Sequence, residues 1–371
     1  PVAFMESPEL GGIVDEFVLT DAGTLIIRVS EKIWSVDVQS GAKRLIREDF
    51  PNYGPLFYFA ISPKGDHAVY SLNEDDGRGV FIMDLTTGTE KPLLPAGDTF
   101  SFYPSWSPDG KHIMAYTANP WRDVLGQGLQ LYTLLPAEDG PFPAAQVLTV
   151  VDVQGNVVKT INPEDPDAAA DGQSQTQGQT GQFLFRFDWL ADSEHMVFVS
   201  GPVTLGKWGE VQSMDYTGVW IGDVNPESEP VQCADLLDMG EAIGGDINYI
   251  YPVSSLPDGS VALLSIHGAD SSSIWKMSVD GPATKVTDGW WESARLRPYF
   301  FDSVVGVVGG DSGYGLQVVG PDDAFGLGPK TTSEWSILGH NGQVLIAATY
   351  DRATNDSVLY LYSMLKEVAH E

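Results

Sequence analysis

Basic residues are scarce in this 371-residue chain: 20 Lys and Arg stand against 51 Asp and Glu, a net charge of −31. That balance excludes general nucleic-acid binding, which needs a basic footprint, and opposes docking on anionic lipid. Cysteine is nearly absent. Cys233 alone permits neither a disulfide framework nor a Cys-based zinc site. A single Cys in a strand reads as packing rather than as a nucleophile. No apolar run is long enough to cross a bilayer. No G-x-S-x-G elbow is present. The stretch Asn73-Glu74-Asp75-Asp76-Gly77 comes nearest to a calcium loop and has the wrong spacing for one. Neither a cofactor nor a metal is expected, and no residue is nominated as catalytic.

What the chain has instead is a repeat. One phrase reads YPSWSPDGKHIMAY at 103–116, FAISPKGDHAVYSL at 59–72, FDWLADSEHMVFVS at 187–200 and PVSSLPDGSVALLS at 252–265. Looser copies are FVLTDAGTLIIRVS at 17–30 and WSILGHNGQVLIAA at 335–348. Each copy is an apolar-aromatic strand, a tight turn rich in Pro, Asp and Gly, and a second apolar strand. Pro presets φ, Gly tolerates φ > 0 and Asp bonds back to nearby backbone, so the turn has a mechanism. A second phrase follows each hairpin: strand, usually Asp, turn, strand. Its copies are IWSVDVQSGAKRLI (33–46), VFIMDLTTGTEKPLL (80–94), VLTVVDVQGNVVKTI (147–161), VWIGDVNPESEPVQC (219–233) and IWKMSVDGPATKVT (274–287). The two phrases together make a four-stranded antiparallel unit A-B-C-D, and its repetition predicts an all-β fold, a β-propeller.

The A–B turn positions are Gly23, Gly65, Gly110, Ser193, Gly259, Ser303 and Gly342. They predict seven four-stranded blades, with six as the alternative if the weak unit at 295–319 is not a blade. The last unit lacks a D strand, and PVAFM at the N-terminus lacks a partner. The N-terminal strand is therefore expected to close the last blade. One propeller domain is expected to occupy 1–371. The chain begins at Pro1 rather than Met, and a signal peptide or lipid-attachment Cys removed upstream is part of the expectation.

Three insertions break the template, at 119–146, 162–182 and 201–217. The strand order of an up-and-down blade puts all three on one face, above blades three and four. The second is low complexity. The other two carry Trp121, Tyr132, Phe142, Trp208 and Tyr216, aromatics that suit an interface. Strand A is innermost, so its first residues are expected at the upper mouth of the channel: Asp15, Glu16, Tyr53, Tyr103, Arg186, Tyr251, Arg295 and Glu334 or Trp335. Two Arg and several Tyr around one opening could hold a carboxylate or a chain terminus. The opposite face, made of tight turns, is expected to have little room for chemistry. His67, His112 and His195 share one template position just after the A–B turn. Neighbouring sheets lie roughly 10 Å apart, too far for one zinc with its ~2 Å bonds to collect all three.

The SPDGK phrase at 103–116 and its copy at 59–72, with IWSVDVQSG and FIMDLTTG downstream, resemble the repeats of TolB-type propellers. The resemblance covers most of the chain at the level of the repeat. It implies a propeller working outside the cytoplasm, in the periplasm or at the cell surface, and makes the chain a lipoprotein candidate. The implied role is a non-catalytic protein- or peptide-binding or scaffolding module of an envelope complex, not an enzyme. The repeat is also similar to the propellers of prolyl-oligopeptidases and dipeptidyl-peptidases, and to those of oligogalacturonate lyases. These imply the alternative, a polysaccharide- or peptide-active propeller enzyme with its site in the central channel. GGDSGYG at 309–315 resembles the nucleophile segment of trypsin-like proteases but, with no matching His motif, reads as a Gly-Ser turn.

Overall fold

A computed structural model describes the strands named below and most of their turns. Residues 119–146, 162–178, 364–371 and shorter connecting segments lie outside the described residues, and side chains are described only between 18 and 285. Every described element is a strand. The first is β1 (Val2–Glu6). The first meander is β2 (Val14–Leu19), β3 (Thr24–Val29), β4 (Lys32–Asp37) and β5 (Lys43–Arg47). The second is β6 (Phe59–Ile61), β7 (His67–Glu74), β8 (Gly77–Asp84) and β9 (Glu90–Leu94). The third is β10 (Phe100–Trp106), β11 (His112–Ala118), β12 (Val147–Asp152) and β13 (Val157–Ile161). The fourth is β14 (Gln179–Trp189), β15 (His195–Leu205), β16 (Val211–Met214), β17 (Gly218–Asp223) and β18 (Val231–Asp235). Three more follow. They are β19 (Ile247–Ser255) to β22 (Gly281–Asp288) through β20 (Val261–Gly268) and β21 (Ser272–Ser278); then β23 (Tyr299–Phe300), β24 (Ser303–Val308), β25 (Gly315–Val319) and β26 (Ala324–Gly326); then β27 (Glu334–His340), β28 (Val344–Asp351) and β29 (Asp356–Ser363).

Each meander pairs antiparallel in chain order. The second and third share one sheet only through a parallel bridge between Phe100 and Arg78. The expected N-terminal closure is present: β1 pairs antiparallel with β29, Val2 opposite Leu361. The innermost strands neighbour one another, β2 beside β6 and β27, β10 beside β6 and β14, and β14 beside β19. That arrangement is a β-propeller.

The repeated turns explain why the sequence folds this way locally. Gly23, Gly65 and Gly110 all have φ near +70 to +77, where only Gly escapes a Cβ clash. A hydroxyl ahead of each turn receives the first N–H of strand B: Thr20 from Thr24 at 3.1 Å, Ser62 from His67 at 3.0 Å and Ser107 from His112 at 3.0 Å. In the fourth blade Leu190 replaces the hydroxyl, and Asp192 Oδ1 accepts from His195 N at 2.9 Å. At the C–D turns the recurrent Asp caps the turn. Asp37 accepts from Ser40 N, Asp84 from Thr86 N and Thr87 N, Asp152 from Gln154 N and Asn156 N, and Asp223 from Asn225 N.

The core lies between successive sheets. Ile26 and Ile33 of the first blade pack with Phe59, Tyr70 and Met83 of the second. Val69 and Ile82 pack with Ile113 and Val151, Met114 and Leu148 with Met196 and Phe198, and Val197 and Val219 with Ile250 and Leu264. Indoles stitch the inner edges: Trp106 Nε1 donates to Ala60 O at 3.1 Å and Trp189 Nε1 to Ser105 O at 3.2 Å. Strand alternation therefore buries one face of each blade against each neighbour.

Candidate functional site: the inner wall of the propeller

A β-bulge sets two residues against one, bends its strand and re-aims a side chain, and bulges concentrate beside active sites. Five innermost strands are irregular in this way. The register shifts lie between Val14 and Glu16 in β2, Phe102 and Ser105 in β10, Leu184 and Arg186 in β14, Pro252 and Ser254 in β19, and Ile337 and Gly339 in β27. Four residues expected at the channel mouth sit at these breaks, Asp15 and Glu16 in β2, Tyr103 in β10 and Arg186 in β14, and Tyr251 lies near one. Tyr103 lies inside the β10 bulge, Arg186 closes the β14 bulge, and Tyr251 lies between the two irregularities of β19. A Pro within a strand can signal a bulge, but where the register breaks beside each nominated residue was not legible in advance.

The β10 bulge has a local cause. Pro104 has no N–H to give the ladder, so pairing lapses between Phe102 opposite Tyr116 and Ser105 opposite Met114. Tyr103 adopts φ 55 there and is 36% exposed. Its ring meets Tyr116 edge-on at 6.0 Å, and Tyr116 meets Phe187 of the next blade edge-on at 4.5 Å. The wall between the third and fourth blades is thus backed by edge-to-face aromatic contacts.

Other nominated residues fall elsewhere. Trp121, Tyr132, Phe142, Trp208, Arg295 and Tyr53 lie outside the described residues. Tyr216 is not an exposed aromatic. It is 6% exposed and belongs to the core with Leu190, Val199 and Ile250. Asp215 N and Thr217 N bond back to Pro202 O and Ser200 O, which folds the segment onto β15. The insertion expected at 201–217 is largely strand: β15 runs to Leu205 and β16 pairs with it. The approach is so close that a Cβ on Gly201 would meet Asp215 O at 1.9 Å. The low-complexity insertion also ends earlier than 182, because β14 starts at Gln179. Asn73 and Glu74 end β7 and Gly77 begins β8, with Glu74 opposite Gly77; Asp75 and Asp76 lie outside the described residues.

The turn face is less closed than expected. A depression of about 650 Å³ opens between the second and third blades, lined by Ser62, Asp66, His67, Asp84, Glu90 and Trp106 among others. Its polar groups are engaged locally. Ser62 Oγ donates to Asp66 Oδ1 at 2.7 Å, and His67 Nδ1 lies 3.0 Å from the same oxygen. Burial pushes Asp66 up, but bonds from His67 and Ser62 and the His67 charge hold its carboxyl below the usual carboxylate range. His195 pairs with Asp192 at 2.5 Å, whereas His112 stacks on Trp189. The three histidines thus serve separate turns, and no group of three metal-ligating side chains occurs among the described residues. Cys233 is half-buried, its thiol donates to Val219 O at 3.3 Å, and burial pushes it up to about 12. It is packing, as its sequence context suggested.

No family model and no curated protein sequence matches the chain, so the TolB-type assignment stays a resemblance of the repeat. Solved structures do match, as β-propellers. The acylaminoacyl peptidase of Pyrococcus horikoshii is 14% identical, with 94% of this chain and 51% of that chain covered and a TM-score of 0.56. The chain therefore spans about half the length of that peptidase. The propeller domain of the trilobed protease of Pyrococcus furiosus is 10% identical over 94% of both chains, TM-score 0.54. That domain has an open velcro topology, whereas here β1 is paired with β29. Oligogalacturonate lyase in complex with manganese is 13% identical over 94% of this chain and 88% of that one, TM-score 0.56.

These likenesses overturn the expectation that the chain is not an enzyme. That expectation came from the TolB resemblance and from the lack of a familiar catalytic motif. The architecture found is one that two peptidases and a lyase carry. At this level of identity the likeness is one of fold, and a fold does not carry its chemistry with it.

Proposed function

We propose that this chain is a peptide-active propeller enzyme, or the propeller part of one, that takes hold of its substrate on the inner wall formed by β10, β14 and β19. The observation behind this reading is the placement of Tyr103 and Arg186 at bulges on two adjacent innermost strands, with Tyr251 on the next strand between its two irregularities. A bulge leaves backbone groups unpaired, and an extended peptide can answer them with its own N–H and C=O groups. Arginine at such a break suits a carboxylate, which it binds with two parallel hydrogen bonds. In a chain with net charge −31, a carboxylate held anywhere needs such a local cation.

The test compares turnover of a defined peptide mixture, with free and with amidated C-termini, by the chain and by Arg186→Ala. Turnover that favours free carboxylates and falls in the variant, with folding retained, supports the reading. Equal turnover by both proteins refutes it. A second reading, a polysaccharide-active enzyme, draws on the lyase match, which spans most of both chains. The same pair of proteins assayed on acidic oligosaccharides separates the two.

A further inference from the structure

Among the described residues only Tyr103 and Ser193 are non-glycine residues with positive φ. Ser193 is accounted for. It stands where Gly23, Gly65 and Gly110 stand in other blades, and its Oγ accepts from Asp109 N at 2.9 Å. Tyr103 has no such turn to serve. It lies within a strand, and the residue before a proline is pushed toward extended backbone. Both its Cβ and Pro104 oppose φ 55. A strained residue persists only where its surroundings over-determine it, and such residues cluster where ligands are gripped.

What the strain achieves is visible. Tyr103 stays 36% exposed on an innermost strand, while Tyr116 meets its ring edge to face and Phe187 in turn meets Tyr116. We infer that Tyr103 is a specificity-determining contact: its exposed ring packs against an aromatic side chain of a bound peptide at the channel mouth. This rests on the peptide reading above. An aromatic partner fits because rings pair edge-to-face or offset at the spacing already seen behind Tyr103. Rigid tyrosines supported by packed neighbours are also the residues that carry recognition energy.

The test uses two labelled pentapeptides, Ala-Ala-Phe-Ala-Ala and penta-alanine, followed by fluorescence anisotropy, with Tyr103→Phe, Tyr103→Ala and Tyr103→Gly compared by urea unfolding. Wild type and Tyr103→Phe should bind the phenylalanine peptide at least tenfold more tightly than penta-alanine. Tyr103→Ala and Tyr103→Gly should lose that preference, binding the two peptides within twofold of each other. Tyr103→Gly should unfold at higher urea than Tyr103→Ala, the reverse of the usual order in a strand. Wild-type binding of both peptides with equal affinity overturns this inference alone, as does a preference that survives in the folded Tyr103→Ala chain. Binding of neither peptide by the wild type overturns the peptide reading and this inference with it.

Discussion

Trp220 on β17 donates its indole N–H to Ser200 Oγ on the neighbouring strand β15 at 2.9 Å. Trp275, at the same template position in the next blade, donates to Ser273 Oγ at 2.8 Å. Trp34 occupies that position in the first blade, and its Nε1 is buried with no hydrogen-bond partner. The register explains the difference. Phe198 stands opposite Trp220 and Ile27 opposite Trp34, so Ser200 corresponds to Val29. The hydroxyl that answers the indole is replaced by two methyl groups.

Val29→Thr should therefore be tolerated where a buried hydroxyl ordinarily is not. Val29 is buried, and a hydroxyl left without a partner there costs about 1–3 kcal/mol. A hydroxyl that accepts from Trp34 Nε1 escapes that cost and also satisfies the buried indole N–H, itself a penalty of about 1–3 kcal/mol in the wild type. Urea unfolding should place Val29→Thr at or above the wild-type midpoint. Val69→Thr, at another fully buried strand B position, should fall below it. A loss at Val29 equal to the loss at Val69 would show that the indole does not take the new acceptor.

Ser193 joins two blades through Asp109 N, 84 residues earlier in the chain. Ser193→Ala keeps the strained φ of 65 and removes the acceptor, so a destabilisation of about 1–2 kcal/mol is expected. Ser193→Gly also removes the acceptor but relieves the backbone, so its loss should be smaller. The order of the two urea midpoints, Gly above Ala, is the readout.

The repeat made much of this fold legible, because a turn that recurs must solve the same backbone problem each time. The positions of Gly23, Gly65, Gly110 and Ser193 were readable as A–B turns, and all four have positive φ. The C–D aspartates were readable for the same reason. Closure by the N-terminal strand followed from a blade with one strand too few. What escaped was non-local. Tyr216 looked like a loop aromatic because nothing in its sequence shows that 215–217 bonds back to β15. The placement of Tyr103, Arg186 and Tyr251 on innermost strands came from strand order, but the bulges at Tyr103 and Arg186 came only with the register. The strain at Tyr103 depends on how β10 meets β11, which no local pattern states.

Acid sensitivity should reside partly in the C–D turns. Asp152 accepts from Asn156 Nδ2 and from the backbone N–H groups of Gln154 and Asn156. The Asn156 side chain leads in holding its carboxyl below the usual range, against a smaller upward push from burial. A folded-state value below the unfolded value of about 3.9 contributes stability above that pH. The contribution disappears as pH falls through the folded value. Asp152→Asn keeps an acceptor but no charge. The difference in urea midpoint between wild type and Asp152→Asn should be constant from pH 7 to pH 5 and shrink below about pH 4. A difference that persists unchanged at the lowest pH would assign it to shape rather than charge.

Lys159 gives the strongest single expectation for stability. Its side chain on β13 is 4% exposed, yet its ammonium donates to Asn225 O at 2.7 Å, Ser228 O at 2.7 Å and Ser228 Oγ at 2.9 Å. Asp223 Oδ1 lies 3.8 Å away, and Ser228 Oγ in turn donates to that oxygen. All three ammonium protons are used, so the buried group is satisfied without an intimate carboxylate. The outer strand of the third blade is thereby fastened to the C–D turn of the fourth. Lys159→Met follows the side chain as far as Cε but takes the ammonium donor from Asn225 O, Ser228 O and Ser228 Oγ and the nearby cation from Asp223. A loss of about 3 kcal/mol is expected. Adding Asp223→Asn to Lys159→Met should recover part of it, because no half-buried carboxylate is then left without its cation. If the double variant is no more stable than Lys159→Met, the carbonyl bonds rather than the charge pair hold the two blades together.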